Sequence, residues 1–145
     1  MEFEVRGLEE ALRLYDPRRV MEALGKALLA GALALEGPIK EATPVDTGRL
    51  RASIRSGLLD QERSRVYTDV EYAPYVETGT RPHWPPVSAL EGWARRHGIE
   101  PFLVARAIAE RGTKGAHMFQ RAAEEHGQEA LELIARALRE ALEGK

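Results

Sequence analysis

The chain has no cysteine. That excludes a disulfide framework, a thiolate metal site and a cysteine nucleophile. Asparagine is also absent, and the basic residues are mostly arginine. Loss of thermolabile residues is a thermophile trend, so a thermophilic source is one expectation; a GC-rich genome gives the same Arg and Ala bias. No apolar run approaches the ~20 residues of a membrane-spanning helix. The stretch from Ala27 to Leu35 is short and Ala-rich and predicts a buried helix, so no membrane contact is expected. The opening MEFEVRGLEEAL lacks a basic start and an apolar centre, and no signal peptide is expected. Catalytic signatures are missing as well: there is no G-x-S-x-G, no Walker-type loop and no G-x-G-x-x-G. The histidines, His83, His97, His117 and His126, show no ligand spacing. Neither a metal, a cofactor nor an enzymatic role is expected.

What is present is ordinary for a globular protein. The chain has 145 residues, 43% hydrophobic and 30% charged, with a formal net charge of -2. This fits one domain over residues 1–145. The charge is polarised along the chain. Residues 48–65 and 81–114 each carry an excess of three positive charges, whereas 116–145 is acidic. A DNA-binding hairpin could use the first stretch. A complementary surface on another copy could use the same polarity to set register, and the near-neutral total favours that.

Periodicity gives the elements. Glu2 to Val5 alternates and predicts a short strand. Asp16-Pro17 is a helix start, and Val20, Leu24, Leu28, Gly31 and Leu35 form one face of a helix from Pro17 to Glu36. Gly37-Pro38 is expected to end or kink it, with a last turn to Ala42. Pro44, Asp46, Thr47 and Gly48 are turn residues, each with its own physical reason. Leu50, Ala52, Ile54, Ser56 and Leu58 then alternate with Arg51, Ser53 and Arg55, which predicts a half-buried strand. Leu59 to Ser64 predicts a hairpin loop and Arg65 to Val70 its partner strand. Glu71 to Glu77 reads as a helical turn stopped by Gly79. Arg81 to Pro86, with three prolines, is expected to be an extended arm carrying Trp84. Short helices follow over Val87 to His97, with Ser88 a possible cap, and over Pro101 to Glu110. Arg111 to Gly115 reads as a flexible link. A final helix has Phe119, Ala123, Gly127, Leu131, Ile134, Leu138 and Leu142 along its apolar face, with a bend expected at Gly127.

The fold class expected is α+β: a long N-terminal and a long C-terminal helix packed on a small antiparallel sheet, with short helices between. Trp84, on a proline-stiffened arm, is expected either to anchor an interface or to fold back on its own core.

The segments TPVDTGRLRASI, VYTDVEYAPYVETGT, VSALEGWARRHGI and RAIAERGTKGAHMFQRA, in that order, resemble the minor tail components of long-tailed bacteriophages. These are the head–tail joining, neck or tail-completion proteins. The resemblance runs from about Ile39 to Ala123. It implies a virion structural protein at the head–tail junction, assembled in the bacterial host cytoplasm. It also implies rings, commonly of six copies, that contact connector, neck and tail-tube proteins, with a possible passing contact with DNA in the channel. Many members of that family carry Pro-Phe before the last helix; here His117-Met118-Phe119 stands instead, with Phe119 able to fill the apolar role. Asp46-Thr47-Gly48 then forms the corner between long helix and sheet. Arg49, Arg51, Arg55, Glu77, Arg81 and Trp84 are candidates for contacts between copies, and Pro44, Asp46, Thr47, Gly48 and Gly79 for structural turns. The alternative is a small DNA-binding protein using the Arg-rich hairpin.

Overall fold

The computed structural model describes residues 1–143. In chain order the elements are β1 (Glu2–Glu4), α1 (Leu8–Leu14), α2 (Pro17–Ala42), α3 (Arg49–Ser53), β2 (Arg55–Leu58), β3 (Arg63–Tyr67), α4 (Ala73–Thr78), β4 (Gly79–Thr80), α5 (Val87–His97), α6 (Pro101–Arg111), β5 (Thr113–Lys114) and α7 (Met118–Leu142). The α+β architecture expected from the sequence is the one observed, with two long helices and a small antiparallel sheet of order β1-β3-β2. A second, two-stranded sheet joins β4 to β5.

Helix α2 is the centre of the molecule. Asp16 caps it by accepting from the Arg18 N–H at 2.9 Å, with Pro17 at the first turn. Its apolar residues Val20, Leu24, Leu28, Gly31 and Leu35 are all buried as the periodicity predicts. One side meets the sheet: the buried Ser64 hydroxyl of β3 donates to the Leu28 carbonyl at 2.8 Å, and Leu58 of β2 reaches Gly25. The other side meets α7 so closely that a methyl group on Gly31 would overlap Ile134. Leu24, Leu28, Leu35, Ile39, Ile54, Val66 and Met118 are almost wholly shielded from water. Each side chain of this size contributes about 1.5–3 kcal/mol on burial.

The helix does not end at Gly37-Pro38. It runs on to Ala42, with Pro38 inside it. Pro38 forfeits one backbone hydrogen bond, but Ile39 is completely buried and the Thr43 hydroxyl donates to its carbonyl at 2.7 Å. Burial of the last turn therefore outweighs the local breaker.

Three other expectations need correction. The strand over Leu50 to Leu58 is instead a short helix, α3, followed by β2. Leu50 and Ile54 are buried, whereas Ala52 is exposed. Residues four apart share a face in a helix and, being an even number apart, in a strand too, so the pattern alone was ambiguous. Gly48, at φ 87°, starts the helix. The hairpin is correspondingly tighter, with β3 beginning at Arg63, and Arg55 opposite Tyr67 and Leu58 opposite Ser64. The third correction is on α7, where Met118, Ala122, Ala130 and Ile134 are buried and Leu131 is 52% exposed. Ile134 of the expected face is buried and Phe119 and Leu138 pack against the core, but Met118, Ala122 and Ala130 fill its interior in place of Ala123 and Leu131. Small alanines let α7 approach α2, whereas sequence periodicity gives most weight to the large residues. Phe119 packs on the edge of the core, and Met118 occupies its interior.

Strand β1 pairs with β3 so that Glu2 stands opposite Arg65 and Glu4 opposite Arg63. Opposite charges directly across a pair favour this register. Ser64 and Val66 face α2, and the arginines face away.

The close contact at Gly31 is testable by urea unfolding. Gly31→Ala is expected to cost about 1–3 kcal/mol through overpacking. Ile134→Ala is expected to cost about 2–5 kcal/mol. The double variant should lose less than the sum, because the new methyl group enters the space that Ile134 vacates.

Candidate interaction surface

The arginines of the hairpin region lie at the surface and hold partners on the same chain. The Arg49 guanidinium lies 3.4 Å from the Glu71 carboxylate and over the Tyr72 ring. Arg51 donates to the Thr43 carbonyl at 3.0 Å, just past the end of α2, where a cation is favoured. Arg55 pairs with Asp69 and donates to the Tyr67 hydroxyl at 3.0 Å. Arg63 pairs with Asp60 at 2.7 Å, and Arg65 lies over the Tyr67 ring at 3.8 Å.

Asp46 does more than shape its turn. Its carboxylate accepts from Arg96 on α5, fifty residues away, with one contact at 2.9 Å from the guanidinium Nε. His97 Nδ1 stands 3.9 Å off. The Arg96 guanidinium holds the Asp46 carboxyl below its ordinary value. Thr47 contributes a weak local bond, its hydroxyl accepting from the Arg49 N–H at 3.4 Å. Asp46 thus ties α5 to the corner after α2.

A second tie lies where the chain leaves and re-enters the body. The Ala116 and His117 N–H groups donate to the Val76 and Glu77 carbonyls at 2.7 and 3.0 Å. The Glu77 carboxylate accepts from the Phe119 N–H at 2.8 Å. The first N–H groups of a helix lack internal partners and carry the positive end of its dipole. Glu77 therefore caps α7 from 42 residues upstream, in place of a local cap. Beside it, β4 and β5 pair with Gly79 opposite Lys114 and Thr80 opposite Thr113. Arg111 to Gly115 is therefore not merely a flexible link. Gly79 (φ 81°) and Gly112 (φ 69°) sit so close to the facing strand that a Cβ on either would overlap a backbone carbonyl, that of Thr113 or Thr80.

Everything between β4 and β5 is an excursion made of the arm, α5 and α6. The two helices pack on each other through buried Ala94 and Ala105. Helix α5 starts after Pro86, not with a Ser88 cap, and ends at Gly98 as expected. The arm lies along α6, the His83 N–H donating to the Ile108 carbonyl at 3.3 Å. Between excursion and body runs an open, largely apolar groove of about 950 Å3. Pro44, Tyr72, Tyr75 and Val76 form the body wall; Pro85, Leu90 and Ile108 form the other. Arg81 and Lys114 also line it.

Trp84 is 62% exposed and touches Phe102, itself 51% exposed, with ring centroids 6.1 Å apart. It does not fold into the core. Trp93 stacks on His97 at 4.1 Å. Of the six contact candidates, Arg49, Arg51, Arg55 and Glu77 hold partners within the chain, whereas Arg81 and Trp84 stand together at the excursion. Sequence reasoning missed Tyr75, Arg96 and Phe102. Tyr75 lies inside the helical turn read over Glu71 to Glu77, where nothing local marks it as a surface residue. Arg96 and Phe102 gave no signal, since one needs a partner fifty residues away and the other reads as one side of an ordinary amphipathic helix.

Among the described residues no group of three or more His, Asp or Glu side chains is placed to hold a metal ion. No described helix is long and apolar enough to cross a membrane. The chemistry this surface offers is apolar contact and ion pairing. Residues 8–79 match the family described as "Bacteriophage HK97-gp10, putative tail-component", so this part of the chain is similar to a family of phage tail components. No curated protein and no solved structure gives a significant match. The matched region begins well before Ile39, taking in α1 and α2, and stops at Gly79. The excursion and α7 lie beyond it, so the segments VSALEGWARRHGI and RAIAERGTKGAHMFQRA fall outside the match. The groove straddles that boundary.

Two outcomes are expected. Glu77→Ala should cost about 0.5–2 kcal/mol, as loss of a helix cap does, read by chemical unfolding. Asp46→Asn should speed amide exchange in α5 and α6 while leaving the middle of α2 unchanged. Acid should act in the same direction. A carboxyl held below its ordinary value contributes its tie above the unfolded value and loses it as pH falls through the folded one. Because both tryptophans, Trp84 and Trp93, lie on the excursion, their fluorescence should report this loosening before α2 and α7 unfold.

Proposed function

We propose that the protein is a structural subunit of the head–tail junction, a neck or tail-completion component that self-associates into a ring and joins connector to tail. Six copies is the number expected from the resemblance to neck and tail-completion proteins. It acts by shape and contact, without catalysis, and resides in the virion after assembly in the host cytoplasm. The observation that carries this reading is the exposed Trp84–Phe102 pair on a layer tied down at both ends by ordered contacts. Large aromatic side chains on a rigid support lose little entropy on docking and make effective interface anchors. The family match supports the tail context.

Binding of DNA by the hairpin is the weaker reading. Of its five guanidiniums, those of Arg49, Arg55 and Arg63 are already neutralised by Glu71, Asp69 and Asp60 and that of Arg51 is held by the Thr43 carbonyl, which lowers the net charge offered to phosphates. A passing contact with DNA in a channel does not rest on that charge.

Native mass spectrometry and electron microscopy test the ring. Closed oligomers are expected at high concentration or when the chain is produced with its neighbouring virion proteins. A chain that stays monomeric under both conditions overturns the reading. Trp84→Ser, at an exposed position, should leave the fold intact and weaken assembly by at least about tenfold, the scale of an interface anchor.

A further inference from the structure

We propose that the junction between copies is made by the Trp84, Phe102 and Leu103 patch of one copy seating in the groove beside Tyr75 of the next. The inference rests on the self-association proposed above and names the two surfaces that carry it.

Patch and groove lie on opposite sides of the same helical layer. Ile108 of α6 lines the groove. Phe102 and Leu103 precede it by six and five residues, which at 3.6 residues per turn turns them about 120–140° away. In the arm, His83 and Pro85 line the groove, and Trp84 between them does not. A copy therefore cannot fill its own groove with its own patch. Two different surfaces on one chain, one convex and one concave, form a heterologous contact, which passes from copy to copy and closes a ring where the rotation allows.

The chemistry of the two surfaces matches. The groove walls are aromatic and aliphatic, as is the patch, where Leu103 is also more than half exposed. The charges match as well. Arg81 and Lys114 at the groove make no ion pair among the described residues, nor does Glu100, two residues before Phe102. Seating the patch brings Glu100 toward two free cations, which sets the register of the contact. Size sets the strength. Aromatic side chains bury about 150–250 Å2 each, and with Trp84, Phe102 and Leu103 already about half covered the patch supplies on the order of 300 Å2 per partner, less than the ~800 Å2 of a standard stable interface. One junction alone is weak, and closure of the ring or a neighbouring protein must hold it.

The absence of native cysteine makes cross-linking the direct test. Glu100→Cys and Lys114→Cys variants, each singly substituted, are mixed and treated with a short bismaleimide in the preparations used for the ring. A mixed cross-linked dimer is expected, at a yield at least fivefold above either variant alone. Adding Trp84→Ser and Phe102→Ser to the Glu100→Cys copy should abolish it; circular dichroism checks that this copy still folds. Oligomers without the mixed cross-link overturn the groove contact and leave the ring standing. Cross-linking of the Glu100→Cys variant to itself in preference to the mixture means a patch-to-patch dimer and overturns the proposal. Absence of both oligomer and cross-link overturns the contact together with the self-association beneath it.

Discussion

The close approach of α2 and α7 is the constraint from which the rest of the structure follows. Gly31 leaves room for Ile134, and buried alanines on both helices keep the two backbones near each other. With α7 on one side, α2 can offer its other side to the sheet, and its inner face is shielded from Val20 to Ile39. The sheet needs that support. Three short strands bury little by themselves, and a small sheet gains independent stability only by packing its apolar face on something else. Leu28, Val66 and Ser64 meet where helix and central strand touch. No buried side-chain donor or acceptor among the described residues is left without a partner.

On this body the excursion is an addition with its own attachments. It leaves after β4, returns at β5, and is closed at its base by strand pairing and glycines that tolerate close backbone contact. The Glu77 carboxylate couples this base to the start of α7, and the Asp46–Arg96 pair holds α5 against the corner after α2. The Asp46–Arg96 pair is partly exposed, so water screens it and its net worth is small. The role of both ties is geometric: they fix where the aromatic residues stand relative to the groove. A surface meant for neighbours gains from such positioning, because side chains already ordered lose less freedom on docking.

The distribution of charge follows the same division. The positive excess in residues 48–65 looks from composition like a patch awaiting an anion. In three dimensions it is spent on short-range partners: carboxylates, a carbonyl and tyrosine rings. Among the charges that the ion pairs leave over, Arg81 and Lys114 stand at the groove and Glu100 beside the patch, next to apolar surface. That arrangement suits a contact read by shape and register more than a binding track for a polyanion, whose affinity comes from many phosphate contacts.

Much of the fold was legible in the order of residues. Apolar spacing at three and four defined the inner face of α2, Asp16-Pro17 its start, and Gly98 the end of α5; these are local effects of backbone and side chain and need no distant partner. Turn chemistry located the corner at Pro44 to Gly48 and the stop at Gly79. Local rules failed where a distant contact chose between two permitted states. Leu50 and Ile54 fit helix and strand alike until packing on the core selected a helical turn. Pro38 should weaken a helix, but the burial of Ile39 carries the helix past it. Alanines, not the larger Leu131, set the face of α7, since only the distance to α2 decides how much side chain fits. The cap by Glu77, the tie between Asp46 and Arg96, and the turning of patch and groove to opposite sides of one layer belong to tertiary structure alone, because each joins or compares residues whose separation in sequence carries no signal of their nearness in space.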